Sequence, residues 1–437
     1  MREETLILGA GVTGLAAGMA SGLPVLEATG YPGGICRSYY MVPGTDQPLA
    51  APPNDGNAYR FEFGGGHWVF GGDPTVTHLI ASLVPLVRRA RRSSVFFPDS
   101  RRYVTYPIQN HLRQLGEGIA QTVLVEMARP RGPVTTMAEW LRECFGPTLN
   151  RLFFAPFHQL YTAGIYTEIA PQDTHKTPVD FALALRGAFE ETPAVGYNVE
   201  FVYPKDGLDQ LVRLMAQRCR IEYARQVVHI DCTSRVVEFA DGTKRCYRSL
   251  LSTLPLNRVM AMSGLRTASR PDPFTSVLVL NLGATKGAAC PADHWLYVPR
   301  SAAGFHRVGF YSNVDEGFLP ALTRGRNERV AIYVERAFSG GQRPSPDGIN
   351  AYCRAVIREL REWDMIGAVE AARADWIDVA YTWSWPGSTW RTEAMAILQA
   401  HGIYQIGRYG RWVFQGIADS IRDGLAAGAS FRALRDH

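Results

Sequence analysis

The chain opens on Thr5-Leu-Ile-Leu8, an unbroken apolar run that passes directly into glycines. A short continuous apolar run bounded by turn residues predicts a buried strand. Val12 to Ser21, rich in Ala and Gly, predicts a short helix, and Pro24-Val-Leu-Glu27 a second strand, so a β-α-β unit starts the chain. Residues 41–60 are loaded with Pro, Gly, Asn and Asp and predict a surface loop. Helical patterns follow at 75–87, 108–125 and 136–145, the last with Thr136 placed as N-cap before Glu139. A further helical region spans roughly 150–190. It leads to an amphipathic helix from Asp206 through Ala216, with Asp206 read as its cap.

From Ile221 to Leu254 the period changes to two, with Asp241-Gly242 as the turn between alternating runs. SLLSTLP predicts a buried strand, and VLVLNLGA and RVAIYVER predict strands of a second sheet. The last segment, IYQIGRYG and then DSIRDGLAAGASFRAL, reads as a strand, a glycine-rich crossing and an amphipathic helix. No internal repeat interrupts this order.

Composition narrows the classes. With 437 residues, two or three lobes are expected rather than one core. Hydrophobic residues at 46% and charged residues at 20% are ordinary for a globular protein. The net charge of +5 is mild, and the basic run Arg88-Arg89-Ala90-Arg91-Arg92 reads as a solvated face; a nucleic-acid partner is not expected. The 7 cysteines are scattered with no CxxC pair, so neither a metal site nor a disulfide framework is expected, and a cytoplasmic location is. The first apolar run is too short for a signal segment, and no stretch nears the ~18 apolar residues of a membrane helix.

The chemistry is concentrated at Gly9-Ala-Gly11-Val-Thr-Gly14, between the first strand and the first helix. Gly9 allows a tight turn, Gly11 lets backbone approach a pyrophosphate, and Gly14 lets helix and strand pack closely. The helix N-terminus offers unpaired N–H groups to that anion. Glu27, ending the second strand, is placed to accept from a ribose 2′-hydroxyl, which favours FAD or NAD over NADP. Glycines alone also serve plain strand–helix packing. Here strand, glycines, helix, strand and terminal acid all agree. Gly33-Gly34 then supplies a loop over the dinucleotide, and Gly64-Gly65-Gly66-His67 a backbone that can lie flat against a ring system.

These pieces resemble the FAD-binding signature of the amine oxidase, phytoene desaturase and UDP-galactopyranose mutase superfamily. Gly407-Arg408-Tyr-Gly410, followed by Ala418-Asp419-Ser-Ile-Arg-Asp, resembles that superfamily's last FAD contact. Middle segments resemble the mutases, in the right order. They are Gly65-Gly66-His67, Tyr106-Pro107-Ile108-Gln109-Asn110 (a mobile flap there), Val202-Tyr203-Pro204-Lys205-Asp206-Gly207, Phe305-His306-Arg307-Val308 with Tyr311-Ser312-Asn313, and Gly407-Arg408-Tyr409-Gly410-Arg411-Trp412.

The resemblance implies an α/β protein: a Rossmann-type FAD-binding domain, an antiparallel-sheet substrate domain and a helical lobe. The FAD-binding domain is expected in three parts, 1–90, 196–265 and 396–437, with a helical or flap lobe at 91–195 and the substrate-binding sheet at 266–395. It implies Gly9, Gly11, Gly14, Glu27, Gly33, Gly34, Gly65, Gly66, Gly407 and Asp419 at the cofactor. It implies Arg307, Arg408 and His67 at the chemistry, and Tyr106, Gln109, Asn110, Tyr297, Asn313, Trp385, Arg411 and Phe414 at the substrate. The implied reaction is a pyranose–furanose ring exchange, with N5 of reduced FAD attacking the anomeric carbon of a sugar or sugar nucleotide. There is no net redox change, and NAD(P)H or a reductase primes the flavin. Trp385 and Phe414 stand where the mutases carry tyrosines that grip a diphosphate, and Ile169 where an arginine is expected; Arg411 is a candidate replacement charge. The alternative is an FAD-dependent amine oxidase or desaturase, favoured if Tyr297, Phe305, Tyr381, Trp383 and Trp385 form an apolar cage.

Overall fold

The computed structural model describes residues 4–71, 73–172, 174, 177–192 and 199–436. Strand β1 (Glu4–Leu8), helix α1 (Val12–Ser21) and strand β2 (Val25–Leu26) form the expected unit. β1 lies parallel between β2 and the strand Lys244–Ser252, with Leu8 opposite both Leu26 and Ser252. Strands Ile221–Glu222 and Ile403–Gln405 extend this parallel sheet on its two sides. Strand Lys244–Ser252 does two jobs. Its first half pairs antiparallel with Val236–Phe239 in a ribbon turned at Asp241-Gly242, and its second half, the SLLS run, enters the parallel sheet. Leu250, Leu251 and Ser252 in that second half are fully buried, as the centre of a parallel sheet requires.

The second sheet has seven strands, ordered Ile366–Thr382, Phe274–Lys286, Arg329–Ser339, Arg307–Phe310, Trp295–Tyr297, Ser93–Phe97 and Arg102–Thr105. All its pairs are antiparallel except Trp295–Tyr297 with Ser93–Phe97, which is parallel. Strand Phe274–Lys286 is buried almost throughout. Leu278, Leu280 and Leu282 pack under helix Pro346–Glu362, and Val277 and Val279 pack toward the dinucleotide-binding half.

The helical lobe contains Glu117–Met127, Met137–Leu149, Asn150–Phe154, Ala155–Tyr161 and Phe181–Phe189. Thr136 caps its second helix in a full capping box with Glu139, as its spacing predicts. Three local readings are corrected. The helix expected over 75–87 stops at Leu83, and Leu86–Ala90 becomes a strand paired with Glu200–Pro204. The pattern at 108–125 breaks at Gly116 (φ 99°) into two short 3₁₀ turns and the helix Glu117–Met127. Asp206 is not a cap: the following helix, Leu208–Ala216, starts after Gly207, and no side chain caps it. Asp206 stands one residue too far out to reach its first N–H groups.

Candidate active site

Two cavities meet between the sheets. The first, about 370 Å³, runs from the β1–α1 turn to the substrate sheet. Gly9, Gly11, Val12 and Thr13 line one end of it together with Glu27, Gly33 and Gly34. Gly9 has φ 94°, open to glycine alone at little cost. A methyl group on Gly14 would collide with the carbonyl oxygen of Gly9, so this position serves helix–strand contact. A methyl on Gly11 would meet no protein atom within 4 Å and would project into free space at the helix N-terminus. A close-approach site for an anion needs this division of labour. One Glu27 oxygen accepts from the Ala10 N–H (2.8 Å) and the other from the Thr29 N–H (2.9 Å). The carboxylate is thereby held at the cavity wall.

Strand Ile403–Gln405 returns to this place. Gly407 (φ 75°) turns beside Thr13, and Gly416, Ile417 and Ser420, at the start of helix Ile417–Asp436, add a second helix N-terminus to the wall. Gly424 and Gly428 let that helix lie directly on the α1 backbone at Thr13 and Ala17. A cavity with acid and helix N-terminus at one end and glycine backbone at the other fits an FAD-sized dinucleotide. Gly64, Gly66 and His67 line the ring end, and Gly65 lies between them.

The second cavity, about 470 Å³, is walled largely by aromatic rings, among them Trp68, Tyr106, Trp140, Phe157, Tyr161, Trp295, Tyr297, Tyr381, Trp383 and Phe414. The two cavities share Gly66, Trp68, Phe70, Arg307, Tyr381, Phe414 and Gly416, so they form one continuous site.

Arg307 stands at the junction. Its Nε donates to Glu335 (2.9 Å) and its Nη2 to both oxygens of that carboxylate (2.7 and 2.5 Å). Burial opposes both charges. The Glu335 carboxylate nevertheless holds Arg307 well above the ordinary arginine range, and the guanidinium holds Glu335 below the ordinary glutamate range. Arg408 differs. Its Nη1 donates to the Gln415 carbonyl (3.2 Å) and its Nη2 to the Ala380 carbonyl (3.1 Å), with its face 4.5 Å from the Phe414 ring. Among the described residues no carboxylate pairs with it. His67, its Nδ1 3.3 Å from the Gly65 carbonyl, is pushed by burial down to about 4 and is neutral at neutral pH. Burial pushes Tyr381 up to about 12.

The other expected residues divide cleanly. Tyr106, Tyr297, Phe414 and Asp419 line the aromatic chamber, Asp419 there rather than in the dinucleotide cavity. Gln109, Asn110, Asn313, Trp385 and Arg411 line neither cavity. Gln109 and Asn110 are fully buried beside helix Phe181–Phe189, where Gly187 lies against the Asn110 carbonyl and Gln109 Nε2 donates to Pro178 (3.1 Å). The Asn313 amide donates to the Pro291 and Asp293 carbonyls. Trp385 stacks on Arg270 (3.9 Å), and Arg411 is exposed and pairs with Asp423 (3.1 Å). Phe305 and Ile169 are core residues.

Sequence reasoning missed Arg91. It lies in a run read as a solvated face, which holds for Arg88, exposed and paired with Glu200. Arg91 instead is buried, donates to the Tyr106 carbonyl (3.0 Å) and lines the chamber. It also missed Glu335, whose signal was present: an acid inside the otherwise apolar strand RVAIYVER. The chamber's far wall, from Trp140 to Tyr161, read simply as helix core.

Fold and site together define a mixed α/β protein with a Rossmann-type β-α-β turn whose glycine-lined cavity opens into an aromatic chamber. The structure of reduced UDP-galactopyranose mutase superposes with a TM-score of 0.84 at 19% identity, covering 99% of this chain and 96% of that one. Cyclohexylamine oxidase from Brevibacterium oxydans gives 0.63 at 15% identity with complete coverage of both chains. A fatty acid isomerase from P. acnes that produces CLA gives 0.57 at 14%, covering 98% of each chain. No sequence-family model and no curated protein matches the chain. The chain therefore has the fold of the superfamily its motifs resemble. Among the described residues, no helix is long and apolar enough to cross a membrane.

Proposed function

We propose that the protein is a flavin-dependent enzyme that exchanges pyranose and furanose rings of an activated sugar. The observation that carries this reading is Arg408, a cation in the dinucleotide cavity held by two carbonyl oxygens and without an ion-pair partner among the described residues. A half-buried charge with no counter-ion is incompletely compensated. A ring that becomes anionic on reduction supplies the missing partner. FAD, when bound and reduced, supplies a nucleophilic N5 toward an anomeric carbon.

The chain's own residues divide the remaining work. Gly11, the α1 N-terminus and Glu27 hold the dinucleotide end, and the Gly64–Gly66 backbone leaves room for a ring. Arg307, fixed by three hydrogen bonds to Glu335 that balance its charge, presents a rigid planar fork where the cavities meet, suited to orienting a phosphate. Tyr106, Tyr297 and Phe414 form chamber wall for the sugar or its carrier, and the neutral His67 does not compete for the anion. NAD(P)H or a reductase would prime the cofactor.

The aromatic chamber favours a second reading, hydride abstraction in the manner of an amine oxidase, since Tyr297, Tyr381 and Trp383 do stand together there. Reduction decides between the two. Under anaerobic conditions, dithionite-reduced protein mixed with nucleotide sugars should give ring-exchanged product with no net flavin oxidation, and Arg307→Ala should abolish it while retaining FAD. Inert reduced protein, beside oxidised protein bleached by an amine, would establish the oxidase reading instead.

A further inference from the structure

A third cavity, about 220 Å³, lies on the far side of the backbone that walls the dinucleotide site. Cys36 faces the dinucleotide cavity while Arg37 faces this one, and Gly64 and Phe63 divide in the same way. Three arginines reach it from three separate elements: Arg37 after the Gly33-Gly34 loop, Arg213 from helix Leu208–Ala216, and Arg373 from strand Ile366–Thr382.

Two of them are balanced. Arg213 Nε donates to Asp209 (2.7 Å), and its Nη2 holds the cavity lip through the Ala50 carbonyl (2.7 Å). Arg373 Nε donates to Asp375 (3.0 Å). The Arg37 guanidinium makes neither a hydrogen bond nor an ion pair among the described residues, and the Asp375 carboxylate acts on it only through space. Its guanidinium lies 4.2 Å from the centre of the Phe63 ring, which fixes its plane and leaves its N–H edge open. The remaining walls are Tyr31, Pro32, Tyr39, Pro48 and Leu49 faces with Ser38, and the one carboxylate among them, Asp209, is already engaged by Arg213.

We propose that this cavity is a second ligand site, which takes a phosphate monoester of a sugar that also bears a planar base, a mononucleotide in chemical class. An unpaired planar guanidinium with two flanking ones matches the charge and fork geometry of a phosphate. Aromatic and proline faces match a stacked ring. The space holds the phosphate with a ring, and the open mouth leaves any longer remainder in solvent. Its occupant would touch Arg37 and Phe63, each one residue from the dinucleotide wall, so occupancy would be felt at the flavin.

The test uses the flavin-loaded protein, in which the dinucleotide cavity is filled, and titrates AMP, adenosine and inorganic phosphate by calorimetry while following the flavin absorbance. AMP should bind saturably and shift the flavin spectrum, with adenosine and phosphate each at least tenfold weaker. Arg37→Ala should weaken AMP by about 10- to 100-fold, the loss of a charge-assisted contact. Arg37→Lys, which keeps the charge, should recover part of that affinity at equal flavin content, and this separates lost binding from lost folding. Absence of saturable AMP binding, or AMP affinity unchanged in both Arg37→Ala and Arg373→Ala, overturns the proposal. None of these results depends on the ring-exchange reading.

Discussion

Gly11 and Gly14 stand three residues apart in one motif, yet replacing each with alanine should fail in opposite ways. At Gly14 the new methyl would lie inside the contact radius of the Gly9 carbonyl oxygen and 3.1 Å from its carbon, with backbone on both sides of the clash. No side chain can rotate away, so helix α1 must shift off β1. Alanine inside a helix gains about 1 kcal/mol over glycine. Overpacking costs about 1–3 kcal/mol, and a backbone-to-backbone clash belongs at or beyond the top of that range. A net loss of about 2 kcal/mol is expected, a fall of roughly 4–8 °C in Tm for a cooperative unit of ordinary size.

Gly11 is the reverse. Its φ of −69° suits alanine, and no protein atom lies within 4 Å of the added methyl. The Tm of cofactor-free Gly11→Ala should change by no more than about 2 °C, since the poorer N-cap costs roughly 0.5–1 kcal/mol and the stiffer unfolded chain returns about 0.4–1 kcal/mol. The methyl would, however, hold a pyrophosphate off the helix N–H groups, at about 1.5–3 kcal/mol, or roughly 10- to 100-fold in affinity. The assay is thermal unfolding of both deflavinated variants, then FAD titration by quenching of flavin fluorescence. Full FAD affinity in Gly11→Ala would falsify the placement of the pyrophosphate. An unchanged Tm in Gly14→Ala would refute the packing argument.

Further outcomes follow from the same reasoning. Glu335→Gln, which leaves Arg307 without its buried partner, should lower stability by about 3 kcal/mol, read from urea midpoints; a midpoint equal to wild type would mean the pair is solvated. Because the folded-state pKa of Glu335 lies below its unfolded value, its contribution is present above the ordinary glutamate range and lost as pH falls through the folded value, so the variant's midpoint should depend less on pH below about 4.5. Burial pushes His67, His111, His158 and His294 each down to about 4, whereas unfolded histidine titrates near 6.5. The unfolded chain binds the extra protons, so stability should already decline between pH 6.5 and 4; a flat urea midpoint from pH 7 to 5 would contradict this. Thr136→Ala should cost about 1 kcal/mol by removing the capping box, with no effect on FAD affinity.

What the sequence revealed was local in range. The unit around Gly9, Gly11, Gly14 and Glu27 is legible because each residue's task is set by neighbours a few positions away, and Thr136 with Glu139 is legible for the same reason. Glu335 and Arg91 are harder. Each owes its role to a partner or cavity reached only after distant segments fold together, 28 residues apart for Arg307 and Glu335. Gln109 and Asn110 illustrate the converse: a motif with the right letters is packed under helix Phe181–Phe189 instead of opening on the chamber. Asp206 fails by a single residue, because capping depends on the one position from which a side chain reaches the first turn.

Proteins named as a mutase, an amine oxidase and a fatty acid isomerase share this fold, so the scaffold does not select the reaction. Selection must lie where the two cavities join. The aromatic rings there are compatible with many substrates and say little about charge. The arginines say more, and they are not equivalent. Arg307 is neutralised by Glu335 before any ligand arrives, so it serves best as a fixed fork that orients a group. Arg408 has only carbonyl dipoles, and its charge is the one still seeking an anion. A hydride-abstracting enzyme also passes through reduced, anionic flavin once per turnover, but one that keeps its flavin reduced between turnovers draws on such a cation throughout. Replacing Arg408 with Gln should therefore lower the flavin reduction potential and slow turnover of the reduced form. An unchanged potential would show that Arg408 does not act on the reduced flavin and would remove the support it lends to ring exchange.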